Sequence, residues 1–234
     1  MARSKSTSTR PASVPEPVSQ HTRLSSGERR EQLIHVAIDL FSRKGFNGTT
    51  TREIAAAAGV TEAIIFRHFE TKENLYTAII DQKLNSPVTA EWVARLRSAM
   101  DRDDDRAVTR ELISAIVQTH KTDPKFERLM LYAALEGNKI ALLYMRELTT
   151  SIVDVFRNYF LRRQKQGFLK AHSPDVVLTA VAGMAQHYAI SKYVHEFKEQ
   201  CISDEEAIES FTSIAMEGIG LPGRPKTAVS ARKR

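Results

Sequence analysis

The chain has 234 residues, with 34 Lys and Arg against 28 Asp and Glu, one Cys, and 42% hydrophobic residues. A lone cysteine excludes an intrachain disulfide and suits a reducing cytoplasm. No apolar run approaches the roughly 18 residues of a membrane helix, and no apolar stretch follows the early basic residues, so neither a span nor a signal peptide is expected.

The net charge of +6 is concentrated at the ends. Residues 1–26 carry Arg3, Lys5, Arg10 and Arg23 against Glu16, and are rich in Ser, Thr and Pro with almost no large apolar side chains. Such a stretch cannot bury enough surface to offset ordering entropy, so it reads as a disordered basic arm. It either adds salt-sensitive affinity for a polyanion or is a solvated tail. Residues 220–234 end in a second basic tail, with five bases and no acid from Leu221 onward. The body between is slightly acidic, and Gly27 to Tyr76 holds seven bases and seven acids.

Ser25-x-x-Glu28 is a capping box that opens a first helix, whose Leu33, Val36, Ala37, Leu40 and Phe41 recur at three- and four-residue spacing. Thr50-x-x-Glu53 is a second box. It starts a short helix at Thr51 that runs through Ala55 to Ala58 and stops at Gly59. Thr61 caps a third helix from Glu62 to about His68, with Val60 and Ile65 at the staple positions, and Thr71 caps a fourth at Lys72. Two helices of about eight residues are marginal alone. They need the first helix, and Ile54, Val60, Ile65, Phe69 and Leu75 complete a core with it. The third helix then presents Thr61, Glu62, Ala63, Ile64, Phe66 and Arg67, a small, apolar and cationic face of the kind that fits a DNA major groove. Thr50, Thr51, Arg52, His68 and Lys72, near helix starts, are placed for phosphates.

Glu31 to Leu75 resembles the DNA-binding domain of the TetR family of bacterial transcriptional regulators. The resemblance rests on Ala37, Leu40, Phe41 and Gly45; on Gly48, Thr50, Thr51, Arg52, Ile54 and Ala55; on Ala58-Gly59-Val60; and on Phe69, Lys72 and Leu75. It implies recognition-helix contacts through Thr61, Ala63, Ile64, Phe66, Arg67 and His68, and phosphate contacts through Thr50, Arg52 and Lys72. Ala63, Ile64 and Phe66 stand where the family often has glycine, threonine and tyrosine. Phe66 therefore lacks a phosphate-donating hydroxyl, and Ile64 points to a thymine methyl rather than a hydrogen bond.

Beyond Leu75 the pattern remains helical: Lys72 to Asn85, Val88 to Met100, Asp105 to Lys121, Pro124 to Glu136, Lys139 to Gln166, Pro174 to Phe197 and Asp204 to Gly218. The expected fold is all-α, with a helix-turn-helix domain at 27–75 and a larger helical domain at 76–219. The resemblance implies that this second domain binds a small effector and dimerises through its last two long helices. Small residues Ala180, Gly183, Ala185 and Ala189, continued by Ile190, Tyr193 and Val194, suit a helix interface, joined by Phe211 and Ile214 of the last helix. The same pattern also fits a helix pair buried within one chain. Trp92, Met130, Tyr132, Tyr144, Phe156, Met184, His187 and Tyr188 could line a pocket for a hydrophobic or aromatic effector, or could be plain core.

Catalysis has no support. Gly218 to Gly223 matches G-x-G-x-x-G but follows a helix, not a strand. His195 and Glu199 are four apart without further metal ligands. No cofactor or metal is expected. The sequence thus reads as a cytoplasmic homodimeric repressor released from double-stranded DNA by a small effector. The alternative is a helical module that binds protein.

Overall fold

A computed structural model of the chain describes residues 24–195 and 202–220; the side chains at 84, 140, 141, 143–145 and 147–151 fall outside that description. Residues 1–23 of the expected basic arm, 221–234 of the expected tail, Glu199 and Cys201, and the last three residues of the G-x-G-x-x-G stretch lie outside it as well, while Ser25 and Ser26, within the expected arm, cap and open the first helix. Ten α-helices are present among the described residues: α1 (Ser26–Lys44), α2 (Thr51–Ala58), α3 (Glu62–Phe69), α4 (Lys72–Leu84), α5 (Pro87–Asp101), α6 (Asp105–Thr122), α7 (Pro124–Glu136), α8 (Lys139–Lys165), α9 (Pro174–Ala189) and α10 (Asp204–Ile219). Among the described residues none is long and apolar enough to cross a membrane.

Local chemistry sets most of these boundaries. Ser25 Oγ accepts from the Glu28 N–H while the Glu28 carboxylate accepts from the Ser25 N–H, closing the first capping box. Pro87, Pro124 and Pro174 each open a helix, where a missing N–H costs nothing. The penultimate helix departs from expectation: α9 ends at Ala189 and a π turn, Ile190–Val194, follows. At this turn Lys192 Nζ donates to Tyr188 Oη at 2.7 Å and to Asp204 Oδ1 at 2.9 Å, and the Tyr193 hydroxyl also reaches Asp204 at 2.7 Å. The wider turn aims both side chains at the start of α10, a preference that apolar periodicity does not encode.

Two apolar cores form. The first joins Leu33, Ala37 and Phe41 of α1 to Ile54, Ile65, Phe69 and Leu75 as the spacing predicts; Val36, Leu40 and Val60 are only partly buried against it, and Ile34, not anticipated, is buried within it. It does not stop at Leu75. Tyr76, Ile79 and Ile80 of α4 continue it, and Phe126, Leu129, Met130 and Ala133 of α7 close it from the far side. The second core is built from α5, α6, α8, α9 and α10 around Val108, Ile113, Val117, Phe156 and Ala185.

Where α4, α6 and α7 meet, His120 is buried and its Nδ1 lies 2.8 Å from the Ile116 carbonyl oxygen. A carbonyl only accepts, so Nδ1 carries the proton and Nε2 faces Glu127 Oε2 at 3.5 Å. That approach is attractive only with a second proton between the pair. Burial, opposed by His120 and Lys83, raises the Glu127 carboxyl above its ordinary 4.5. A carboxyl raised on folding adds stability that is full below 4.5 and is lost as pH climbs through the raised value. Urea midpoints of the parent are therefore expected to fall over that window. Glu127→Gln, whose amide donates to Nε2 without titrating, should show a flatter profile; parallel profiles would refute the pairing.

Candidate nucleic-acid interface

The reading surface begins at the turn before α2. Thr50 Oγ1 accepts from the Glu53 N–H at 3.2 Å, and the Glu53 carboxylate accepts from the Thr50 N–H at 2.9 Å and from Lys44 Nζ at 2.7 Å. These bonds hold the Glu53 carboxyl down at about 2, Lys44 contributing most and Thr50 next. At the other end Gly59 takes the left-handed conformation (φ 66°, ψ 35°), its N–H bonding to the Ala56 carbonyl and the Val60 N–H to the Ala55 carbonyl. Gln32 Nε2 of α1 donates to the Ala58 carbonyl at 3.3 Å, tying this helix end to α1. The chain re-enters α3 at Thr61 with Ile65 and Phe69 buried.

What α3 leaves outside is Thr61, Ala63, Phe66 and Arg67, all exposed, with Phe66 44% accessible. Thr61 sits at the cap position but makes no side-chain cap bond, unlike Thr50 and Thr71. Arg52 on α2 is exposed beside them in sequence order. An apolar ring, a methyl, a hydroxyl and a guanidinium on one short helix can touch thymine methyls and guanine edges.

Five residues of the expected face, Thr51, Glu62, Ile64, His68 and Lys72, are placed differently. Thr51 Oγ1 donates to Glu62 Oε2 at 2.9 Å, so this pair fixes α2 against α3 rather than pointing outward. Ile64 is half-buried and packed against the core. His68 is half-buried and its Nε2 is buried without a partner. Burial first, then the charges of Arg67, Arg30 and Arg29, push its pKa down, which favours the neutral imidazole in the DNA-free chain. The Lys72 ammonium rests 4.0 Å from the centre of the Phe46 ring, and burial lowers its pKa.

Sequence reasoning also missed a neighbour. The N-terminus of α1 flanks α3, so Ser25, Ser26 and Arg29 line one groove with Val60, Ile64, Arg67 and His68. The Ser25 cap was readable in the sequence; its proximity to a helix some forty residues later was not.

Residues 33–79 match the profile of the bacterial regulatory proteins of the tetR family. The HTH-type transcriptional regulator RutR of Escherichia coli (strain K12) is 28% identical over 199 residues, spanning 82% of this chain and 90% of RutR. The N-terminal domain of this chain belongs to the TetR family. The HTH-type transcriptional repressor NicS of Pseudomonas putida is 24% identical over 203 residues, covering 81% of this chain and 92% of NicS. In fold the chain is similar to NalD, the secondary repressor of the MexAB-OprM efflux pump in Pseudomonas aeruginosa. That match has a TM-score of 0.66 and 20% identity, over 85% of this chain and all of NalD. It is similar too to AibR in complex with isovaleryl coenzyme A and operator DNA, with a TM-score of 0.61 and 20% identity, over 80% of this chain and 97% of AibR.

The residues expected to line an effector pocket are not gathered in one place. Phe156 is fully buried in the second core, with Trp92 and Met184 half-buried against it. Trp92 Nε1 donates to the Glu111 carbonyl at 3.2 Å. Tyr188 is buried there too, but its hydroxyl is committed to Asp204 at 2.9 Å. Met130 belongs instead to the first core, because α7 packs on α1. Tyr132 lies 36% exposed on α7 and donates to the Arg43 carbonyl at 3.1 Å. His187 is exposed on α9, away from the buried side of that helix, and the Tyr144 side chain falls outside the described residues.

Of the residues expected at a dimer interface, Ala180, Gly183 and Ile214 are exposed and Phe211 is half-buried. Val176, 65% exposed and one turn before Ala180, extends their stripe and was not anticipated. Ala189 is fully buried within the chain, whereas Tyr193 is half-buried with its hydroxyl on Asp204. Helical periodicity cannot tell a stripe that packs inside one chain from one that packs between two.

Proposed function

We propose that this TetR-family regulator is a repressor that binds a two-fold symmetric operator as a cytoplasmic homodimer and is released by a small hydrophobic or aromatic effector. The observation that carries the reading is the outer face of α3, where Thr61, Ala63, Phe66 and Arg67 stand exposed on a helix fixed by two buried anchors and a Thr51–Glu62 bond. Two such heads, presented one helical turn of DNA apart, read successive major grooves. The exposed stripe of Val176, Ala180, Gly183 and Ile214 supports pairing through α9 and α10. AibR, of the same architecture, binds both operator DNA and an acyl-coenzyme A. In this chain the effector would enter among Trp92, Phe156 and Met184, and its unequal affinity for the two head spacings would drive release.

The test is selection of DNA from a random duplex pool by the full-length protein at near-physiological salt. Enrichment of a palindrome, bound with a steep salt dependence, is the expected result. A pool that stays random at every salt concentration would point to a protein-binding module instead.

A further inference from the structure

The loop joining α1 to α2 is shaped around a carboxylate supplied from 90 residues away. Glu136, the last residue of α7, accepts from the Phe46 N–H at 2.9 Å and from the Asn47 N–H at 3.2 Å. These amides lie just past the C-terminus of α1, in the turn that leads to α2. Gly45, with φ of 72°, is required here twice. Its backbone angle is one that side chains rarely adopt, and a Cβ on it would collide with Glu136 Oε1.

The same loop is the meeting point of four helices. The Phe46 ring stacks on Phe41 of α1 at 5.7 Å, meets Tyr76 of α4 edge-on at 5.3 Å, and carries the Lys72 ammonium on its face. Thr49 Oγ1 donates back to the Gly45 carbonyl at 2.9 Å, and Thr50 then caps α2. Tyr132, one turn before Glu136, adds its bond to the Arg43 carbonyl. Besides packing on the core face of α1, helix α7 therefore touches the segment that sets how α2 and α3 leave α1. Its other end, through Arg128 Nη2 on the Val194 carbonyl at 2.8 Å, is tied to the π turn beyond α9.

We propose that Glu136 is the positioning residue through which the C-terminal helices fix the orientation of the DNA-reading head. The inference rests on the repressor reading above. Glu136 touches no DNA; it acts by holding residues 45–47, and through them the angle of α3 relative to the rest of the subunit. With that hold loosened, each head still reads its half-site, but two heads in a dimer no longer match a fixed half-site separation.

The experiment measures fluorescence anisotropy of labelled duplexes with full-length parent, Glu136→Gln and Glu136→Ala. The duplexes are the selected operator, the same operator with its half-sites moved apart by two base pairs, and a single half-site. Glu136→Gln keeps one acceptor oxygen but turns an amide N–H against the second donor, so it loosens the loop with little change in size. The expected result is about a tenfold loss of preference for the correct spacing in both variants, with half-site affinity and salt slope unchanged. Melting temperatures recorded alongside separate orientation from folding. Variants that melt lower yet keep the parent's spacing preference would show a merely structural carboxylate and overturn the proposal. A parent that itself lacks any spacing preference would overturn the two-headed repressor reading and the positioning role with it, and that failure is recognisable because it shows before any substitution.

Discussion

Replacing Arg163 by alanine is expected to lower the unfolding free energy by about 3 to 5 kcal/mol, measured by urea denaturation. Arg163 lies on α8 and is 5% exposed. Its guanidinium makes a bidentate pair with Asp105, Nε to Oδ1 at 2.7 Å and Nη2 to Oδ2 at 2.9 Å, while Nη1 donates to Gln166 at 2.8 Å. The plane rests 4.1 Å from the centre of the Phe168 ring. Asp105 opens α6, where the helix dipole favours a negative charge, and it also accepts from the Tyr159 hydroxyl at 2.6 Å. Alanine at 163 removes the fork and strands a mostly buried carboxylate. Lysine keeps the charge but not the planar fork, so Arg163→Lys should recover only part of the loss. The cost belongs to the stranded charge more than to the pair itself. Arg163→Met combined with Asp105→Ala should therefore be less destabilising than Arg163→Ala alone; a double variant that is worse would refute that account.

That pair was invisible in the sequence, and the reason is general to this chain. The three capping threonines and serines, Ser25, Thr50 and Thr71, were legible because each bonds a backbone N–H three residues on. Helix starts and the α1–α2–α3 core followed from such local rules and from apolar spacing. Arg163 with Asp105 and Glu136 with Phe46 join residues 58 and 90 apart, and nothing local marks them. For the same reason α7 read as part of the second domain, although Phe126, Leu129 and Met130 complete the core of the first. On α3 the exposed set was largely readable from the period of 3.6. The departures came where a side chain had a second use: Glu62 for Thr51, Ile64 and His68 for the flank of α1. The expected effector residues fared worst, since an aromatic or sulfur group at helical spacing looks the same whether it meets a ligand, a neighbouring helix or solvent.

Arg67→Ala should produce the largest loss of operator affinity of any single change on α3. Arg67 is exposed, flanked by exposed Phe66, and lies in the last turn of the helix. An arginine that reaches a guanine edge contributes about 1 to 3 kcal/mol of discrimination. In the proposed homodimer the change is carried twice, so the selected operator is expected to lose about 2 to 6 kcal/mol, against no more than about 0.5 kcal/mol in folding stability for an exposed site. The salt dependence decides what Arg67 touches. If it reads a base, affinity falls for the operator far more than for random duplex, and the slope of log affinity against log salt is nearly unchanged. If it holds a phosphate, both DNAs lose affinity together and the slope drops by about 0.9 for each lost contact, roughly two for the dimer. The Ala63 methyl and the Phe66 ring beside it make a surface too apolar to lie against phosphates alone, which favours the first outcome. Parent-like binding to the operator in the variant would remove α3 from the DNA, since the two cations offered on the outer faces of α2 and α3 are Arg52 and Arg67, and only Arg67 stands on the helix that would enter the groove.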